Sequence, residues 1–228
     1  MYSIVLLAGG KGSRMKNSIP KQYMLLAGKP VIMHTLERID TIDEICEAVI
    51  VCSSDYTEQI KFMVSQYGIK KPIKYAEAGA SRQASVLSGL ELVASENVII
   101  HEAARPFVKK SEFLELINNE NDNVIIGSPI SFTVLKGNGR VEGIFNRSEL
   151  INVQLPQKFN TALLVEAHRK ARLEGRTFTE DASVLFYYNR DIAVDIMSGT
   201  DYNIKITTPT DMLVGKIIYD EYFSGRAD

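Results

Sequence analysis

Little in this chain points to a crosslinked, membrane-bound or highly charged protein. The 228 residues include two cysteines, Cys46 and Cys52. They lie around one expected strand, without a CxxC pair or companion ligands, which reads as buried thiols rather than a zinc site. No apolar run approaches the roughly 20 residues of a membrane span. Residues 4–7 are too short for a signal-peptide core and have no basic segment before them. Lys and Arg total 26 against 28 Asp and Glu, a net charge of −2. That balance makes no electrostatic case for nucleic acid or an anionic membrane surface, although it leaves room for a local basic pocket. Repeats and low-complexity tracts are missing, and so are a GxxxxGK[ST] loop and a clean GxGxxG turn followed by an acidic residue. The expectation is a soluble, reduced, cytoplasmic protein.

What is present is a core and a rhythm. Apolar residues make up 45% of the chain, enough to fill one large domain over residues 1–228. Buried strands are expected at 3–7, 48–52, 73–76, 97–101, 123–130, 193–197 and 204–206. Helices are expected at 29–39, with Pro30 near the start, and at 56–67, 81–93, 110–117, 161–174, 181–188 and 210–222, with Thr179 capping the helix at 181. Strands alternating with helices in this way predict an α/β fold, a Rossmann-like, doubly wound, mostly parallel sheet. The rhythm breaks at about 131–153. There, 132–136 and 140–144 flank a Gly-Asn-Gly turn and read as a projecting β-arm. Such an arm suggests a homodimer.

Chemistry concentrates at the ends of the expected strands. Strand 3–7 runs through Leu7 into Ala8-Gly9-Gly10-Lys11-Gly12-Ser13-Arg14. Glycines let backbone N–H groups approach a ligand, and Arg14 adds a fork of donors. Lys21 follows in Pro20-Lys21-Gln22-Tyr23. The two cations could flank a triphosphate or could be solvated surface charges. Gly79-Ala80-Ser81-Arg82 leads to Ser85. His101-Glu102-Ala103-Ala104-Arg105 ends another strand, where doubly wound folds place function. Lys205 lies in Asn203-Ile204-Lys205-Ile206-Thr207.

These stretches together, in this order along essentially the whole chain, resemble the polyol-phosphate cytidylyltransferases. Those enzymes make CDP-methylerythritol for isoprenoid biosynthesis or CDP-ribitol for teichoic acid and capsule. The resemblance implies a nucleotidyltransferase that takes CTP with Mg²⁺ and a polyol phosphate and releases pyrophosphate. It implies that Arg14, Lys21 and Lys205 are catalytic. It implies nucleotide contacts from Leu7, Ala8, Gly9, Gly10, Gly12, Gly79, Ala80, Ser81, Arg82, Ser85, Glu102 and Ala103. Polyol-phosphate contacts fall to Glu102, Arg105, Thr133, Arg147 and Thr179, and Glu102 is also the candidate metal ligand.

Two positions depart from the family pattern: Glu102 stands where an aspartate is usual, and Leu155 where a threonine is usual. The expected acceptor is 2-C-methyl-D-erythritol 4-phosphate, with D-ribitol 5-phosphate as the alternative. A sugar-1-phosphate uridylyl- or thymidylyltransferase shares the glycine loop but not the Pro20–Tyr23 and Asn203–Thr207 stretches. A non-catalytic nucleotide-binding module is the rival of another class. A phosphate monoester is already an ionised nucleophile, so no general base is required and His101 reads as structural.

Overall fold

The computed structural model describes residues 1–10, 12, 15 and 19–224. In chain order, β1 (Tyr2–Leu7) is followed by a 3₁₀ turn (Lys21–Tyr23), β2 (Leu25–Leu26), β3 (Lys29–Pro30), α1 (Val31–Asp40), β4 (Ile45–Cys52), α2 (Ser54–Gln66), β5 (Ile73–Glu77), α3 (Arg82–Leu90), β6 (Asn97–Glu102), α4 (Lys110–Asn118) and β7 (Val124–Pro129). Then come β8 (Leu135–Gly137), β9 (Val141–Ile144), β10 (Ile151–Asn160), α5 (Thr161–Leu173), α6 (Asp181–Tyr188), β11 (Asp195–Ser198) and α7 (Pro209–Tyr222).

Seven strands form one sheet in the order β11-β7-β10-β6-β1-β4-β5. Side chains alternate across it as the pleat requires. Ile4 and Leu6 of β1, with Ala48 and Ile50 of β4, pack under α1, α2 and α4. Val5, Val49 and Val51 pack under α3, α5 and α6 on the opposite face. Burial on both faces explains why these strands read as continuous apolar runs. A third cluster, Leu26, Val31, Phe107, Ile206 and Ile218, seats α7. The α/β expectation therefore holds. β1 is parallel to both β4 and β6; α1 and α2 cover one face as the chain moves out to β5, and α3 covers the other as it returns to β6. The C-terminal ends of β1 and β6 thus form the crevice in which such sheets bind ligands.

Four expectations need correction. β10 was not foreseen. It runs antiparallel between β6 and β7, although it carries a cis Leu155–Pro156 bond and a register shift between Gln154 and Lys158. A proline and three long polar residues hid a central strand, and the register irregularity is what lets proline sit there. Residues 204–206 form no strand; Ile206 N–H donates to Ala104 C=O at 2.8 Å without extending into a ladder. The first helix begins at Val31 rather than at Lys29. Ala27 (φ 49°) and Gly28 (φ 81°) turn the chain so that Lys29 and Pro30 pair with Leu26 and Leu25. Glu180, not Thr179, caps α6, accepting from Ser183 N–H at 3.0 Å. The arm expected at 131–153 is present as the β8–β9 hairpin, which pairs with no other strand.

Lys158 shows how β10 is accommodated. It is 2% exposed, and its Nζ donates to the carbonyls of Asn119 (2.7 Å) and Ile117 (3.4 Å) at the end of α4. Burial lowers its pKa. Replacing it by methionine (K158M) strands those carbonyls. The unfolding free energy is expected to fall by about 1–3 kcal/mol, read from the urea midpoint; an unchanged midpoint would show that Lys158 satisfies nothing of consequence.

Candidate functional site

A cleft of about 330 Å³ opens where β1, β5 and β6 end. Its walls are Leu7, Gly9, Gly10, Lys21, Gln22, Gly79, Ala80, Ser81, Arg82, Ser85, Glu102, Ala104 and Lys205. Most of the sequence candidates thus converge, although nearly 200 residues separate the first from the last.

Local geometry explains the glycines. A Cβ on Gly9 would lie 2.4 Å from Ala78 Cβ, and one on Gly79 would lie 2.5 Å from Ala84 Cβ. Only glycine lets the β1 loop close on the β5 loop and the β5 loop close on α3. Gln22 braces the glycine turn from below, its Nε2 donating to the carbonyls of Ala8 (2.5 Å) and Gly10 (3.1 Å). The Tyr23 hydroxyl adds a bond to Ala8 C=O at 3.2 Å, and its ring stacks on Tyr56. Lys21, buried in the same 3₁₀ turn, faces the cleft. On the far wall Ser81 caps α3, accepting from Ala84 N–H at 3.1 Å. Ser85 Oγ donates to Ser81 C=O at 2.9 Å and accepts from Gly79 N–H at 3.0 Å. Ala8 and Ala103 lie beneath the surface, and Ala103 N–H joins β6 to Leu7 C=O at 3.0 Å.

The electrostatic centre is Glu102, 6% exposed at the end of β6. Lys205 Nζ lies 2.8 Å from its Oε1, Arg82 Nε 3.6 Å from Oε1, and Arg105 Nε 3.5 Å from Oε2. Burial alone would raise its pKa, but the cations, Lys205 foremost, hold the carboxyl below the usual range. Arg105 is fixed by Nη1 donating to Asn203 C=O at 2.9 Å. A second cavity, about 440 Å³, shares Lys205 with the first and is lined also by Arg105, Ser128, Asn152, Gln154, Asp201 and Asn203.

Other candidates lie elsewhere. Gly12 adopts φ 64° beside Lys21, and Arg14 lies outside the described residues. Thr133 is exposed on the arm. Arg147 is exposed too, donating to Ser131 C=O at 3.1 Å and lining a separate depression with Ser128 and Ile151. Thr179 is exposed ahead of α6. Sequence reasoning overlooked Gln22 as the brace of the loop and Asp201 and Asn152 as walls of the second cavity. Gln22 was marked only by its place beside Lys21; nothing local marks the other two.

Residues 2–221 match the family model for IspD, 2-C-methyl-D-erythritol 4-phosphate cytidylyltransferase. The protein of that name from Bacillus cytotoxicus is 35% identical over 221 residues, covering 95% of this chain and 96% of its own. The chloroplastic protein of Oryza sativa is 33% identical, covering 96% of this chain and 74% of its own. The crystal structure of 4-diphosphocytidyl-2C-methyl-D-erythritol synthase from Anaerococcus prevotii superposes with a TM-score of 0.85 at 27% identity, covering 96% of each chain. The chain belongs to this family.

His101, fully buried beneath Glu102, has Nε2 3.1 Å from Arg105 C=O and so ties down the turn that carries Arg105. Burial, helped by the nearby Arg105 cation, lowers its pKa to about 4 from 6.5. The unfolded chain therefore takes up this proton first as the pH falls. Stability is lost progressively from about pH 6.5 down to about pH 4, by at most about 3 kcal/mol for this group. A His101→Gln variant is expected to show a flatter dependence of unfolding free energy on pH across that window; equal slopes would remove His101 as the source.

Proposed function

We propose that this family member transfers CMP from CTP to 2-C-methyl-D-erythritol 4-phosphate and releases pyrophosphate. The observation that carries the reading is the pair of adjoining cavities with Lys205 on their shared wall. The first supplies glycine-loop backbone, the α3 N-terminal turn and Lys21 for a nucleotide. The second supplies Arg105 with hydroxyl and amide groups suited to a phosphorylated polyol. Family membership and the names of the relatives support the same choice of substrates.

An oxygen of the acceptor phosphate attacks the α-phosphorus of CTP. The new P–O bond forms as the bond to the β-phosphate oxygen breaks, and pyrophosphate leaves with that electron pair. No proton need move and no covalent enzyme intermediate forms. What the protein contributes is placement and positive charge aimed at the equatorial and bridging oxygens. Lys21, Lys205 and, from the loop outside the described residues, Arg14 are assigned that charge. Gly79, Ala80 and Ser85 offer donors and acceptors to the cytosine edge. Thr133 follows Phe132, and Arg147 donates to Ser131 C=O at 3.1 Å; Ser131 and Phe132 both line the second cavity, so the arm residues are assigned to the acceptor's phosphate.

Mg²⁺ enters with the triphosphate. Such an ion takes one or two carboxylates and completes its shell with phosphate oxygens and water. Glu102 fits that share, because its buried Oε2 has no hydrogen-bond partner. When bound, the ion would neutralise charge on the phosphates. Among the described residues, no group of three His, Cys, Asp or Glu could hold a metal by itself.

A homodimer through the arm belongs to the same reading. Phe132 and Ile144 are more than four-fifths exposed, and Leu135 and Val141 accompany them; monomeric proteins seldom leave such a patch uncovered. A cytoplasmic location fits the two unpaired cysteines, and no helix among the described residues is long and apolar enough to cross a membrane.

Pyrophosphate release should require CTP and 2-C-methyl-D-erythritol 4-phosphate. D-ribitol 5-phosphate should be at least tenfold poorer in kcat/KM, about 1.4 kcal/mol of discrimination. K21A and K205A should each lose about 100-fold or more in kcat while remaining folded. Full activity in both variants, or no turnover of any acceptor with CTP, would overturn the assignment. An I144D variant should sediment as a monomer where the parent sediments as a dimer; a parent already monomeric at micromolar concentration would refute the arm interface.

A further inference from the structure

Behind the cleft lies a buried carboxylate that the reaction itself does not touch. Asp181, the first residue of α6, is fully buried. Its Oδ2 accepts from Arg82 Nη2 at 2.6 Å. Its Oδ1 lies 3.2 Å from Nε2 of His168 on α5, close enough for Coulomb attraction but off the line of an N–H···O bond. Burial alone would raise the carboxyl's pKa, but Arg82 and His168 hold it at about 2, so it is ionised at any working pH. Arg82 is the first residue of α3, and its side chain keeps a quarter of its surface exposed in the cleft. Its other ionic partner, Glu102, is 3.6 Å from Nε, too far to orient a guanidinium by hydrogen bonding. Asp181 makes the one directional contact, and among the described residues no other hydrogen bond commits the remaining donors to protein.

We propose that Asp181 is a positioning residue for the nucleotide. From beneath the floor of the cleft it locks the Arg82 guanidinium in one plane, so that the unused donors meet bound CTP already oriented. Arginine's fork rewards this, since two donors on one rigid plane reach a phosphate or ribose together only if the plane is set beforehand. Fixing it in the free protein removes an ordering cost from binding. α5 and α6, which contribute no other group to the chemistry, act on the site through this contact. The inference rests on the reading of the cleft as a CTP site.

The test is CTP affinity by calorimetry, together with KM for each substrate, in D181N, R82Q and the double variant. D181N should weaken CTP binding about tenfold and leave the acceptor's KM within about twofold. R82Q should match it. The double variant should be no worse than R82Q alone, because the two residues act through one group. Should D181N fail to fold, R82K keeps the buried charge pair but loses the fork, and the same tenfold loss is expected. CTP binding at wild-type affinity in D181N or R82K would overturn the inference, and so would multiplied losses in the double variant. A wild-type chain that binds no CTP would overturn the functional reading and this inference with it; one that binds CTP beside an equally tight D181N overturns the inference alone.

Discussion

One carboxylate organises this protein's chemistry. Glu102 ends a strand at the switch point of the sheet and gathers Lys205, Arg82 and Arg105. Three cations on Glu102, one of them also paired with Asp181, still leave a surplus of positive charge in a partly dehydrated crevice, and the buried Lys21 adds to it. Ionic groups of this kind do little for stability by themselves, because desolvation offsets the Coulomb gain. Their value is that they stand in place before the ligand arrives. A triphosphate entering the cleft meets charge already paid for by folding, and the same low local dielectric makes that charge count for more.

The three cations reach Glu102 from different parts of the chain, and both arginines are secured by something else as well. Arg105 follows β6 by three residues and is pinned by the Asn203 carbonyl. Asn203 is itself held by β10, its Nδ2 donating to Leu155 C=O at 2.8 Å and to Gln154 Oε1 at 3.3 Å. Gln154 donates in turn to Thr200 C=O at 3.0 Å. The irregular, polar β10 is therefore the strut that carries the Thr200–Lys205 segment to the mouth of the cleft. A smoother, more apolar strand would have served the core equally well but would have left that segment without partners.

This arrangement explains what could be read from the sequence. β1, β4, β6 and β7 are buried on both faces, and their composition follows directly from that. The glycine loop and Lys21 were recognisable because phosphate chemistry needs those residue types after a strand end, whereas Arg82 and Lys205 were marked by the family resemblance. β10 was not recognisable. Gln154, Pro156, Gln157 and Lys158 look like a loop until their partners are known, and those of Gln154 and Lys158 lie about 40 to 50 residues away along the chain, at the end of α4 and around Thr200 and Asn203. Residues 204–206 looked like a strand because they alternate, but their backbone N–H groups go to Ala104 and locally to Tyr202 and build no ladder. Thr179 looked like a cap because threonine often is one; the longer Glu180 side chain reaches Ser183 instead. Asp181 passed as a helix opener, since nothing near it in sequence announces Arg82, 99 residues earlier.

The three cations around Glu102 also differ in freedom, and the difference suits a reaction in which charge moves. Arg82 is locked by Asp181 and Arg105 by Asn203, so both guanidinium planes are fixed. Lys205 has Glu102 as its ionic partner and keeps 37% of its side-chain surface exposed. An ammonium on a flexible stem can exchange one oxygen partner for another at little geometric cost, which an anchored fork cannot do. Lys205 also stands on the wall common to both cavities, which on the proposed reading is where the attacking oxygen of one substrate meets the phosphorus of the other. On the proposed chemistry, fixed charges belong where substrates are held and the mobile one belongs where the bond changes. Glu102 follows that division, pairing with Lys205 at 2.8 Å while Arg82 and Arg105 stand at 3.6 and 3.5 Å, the longer distances of general attraction.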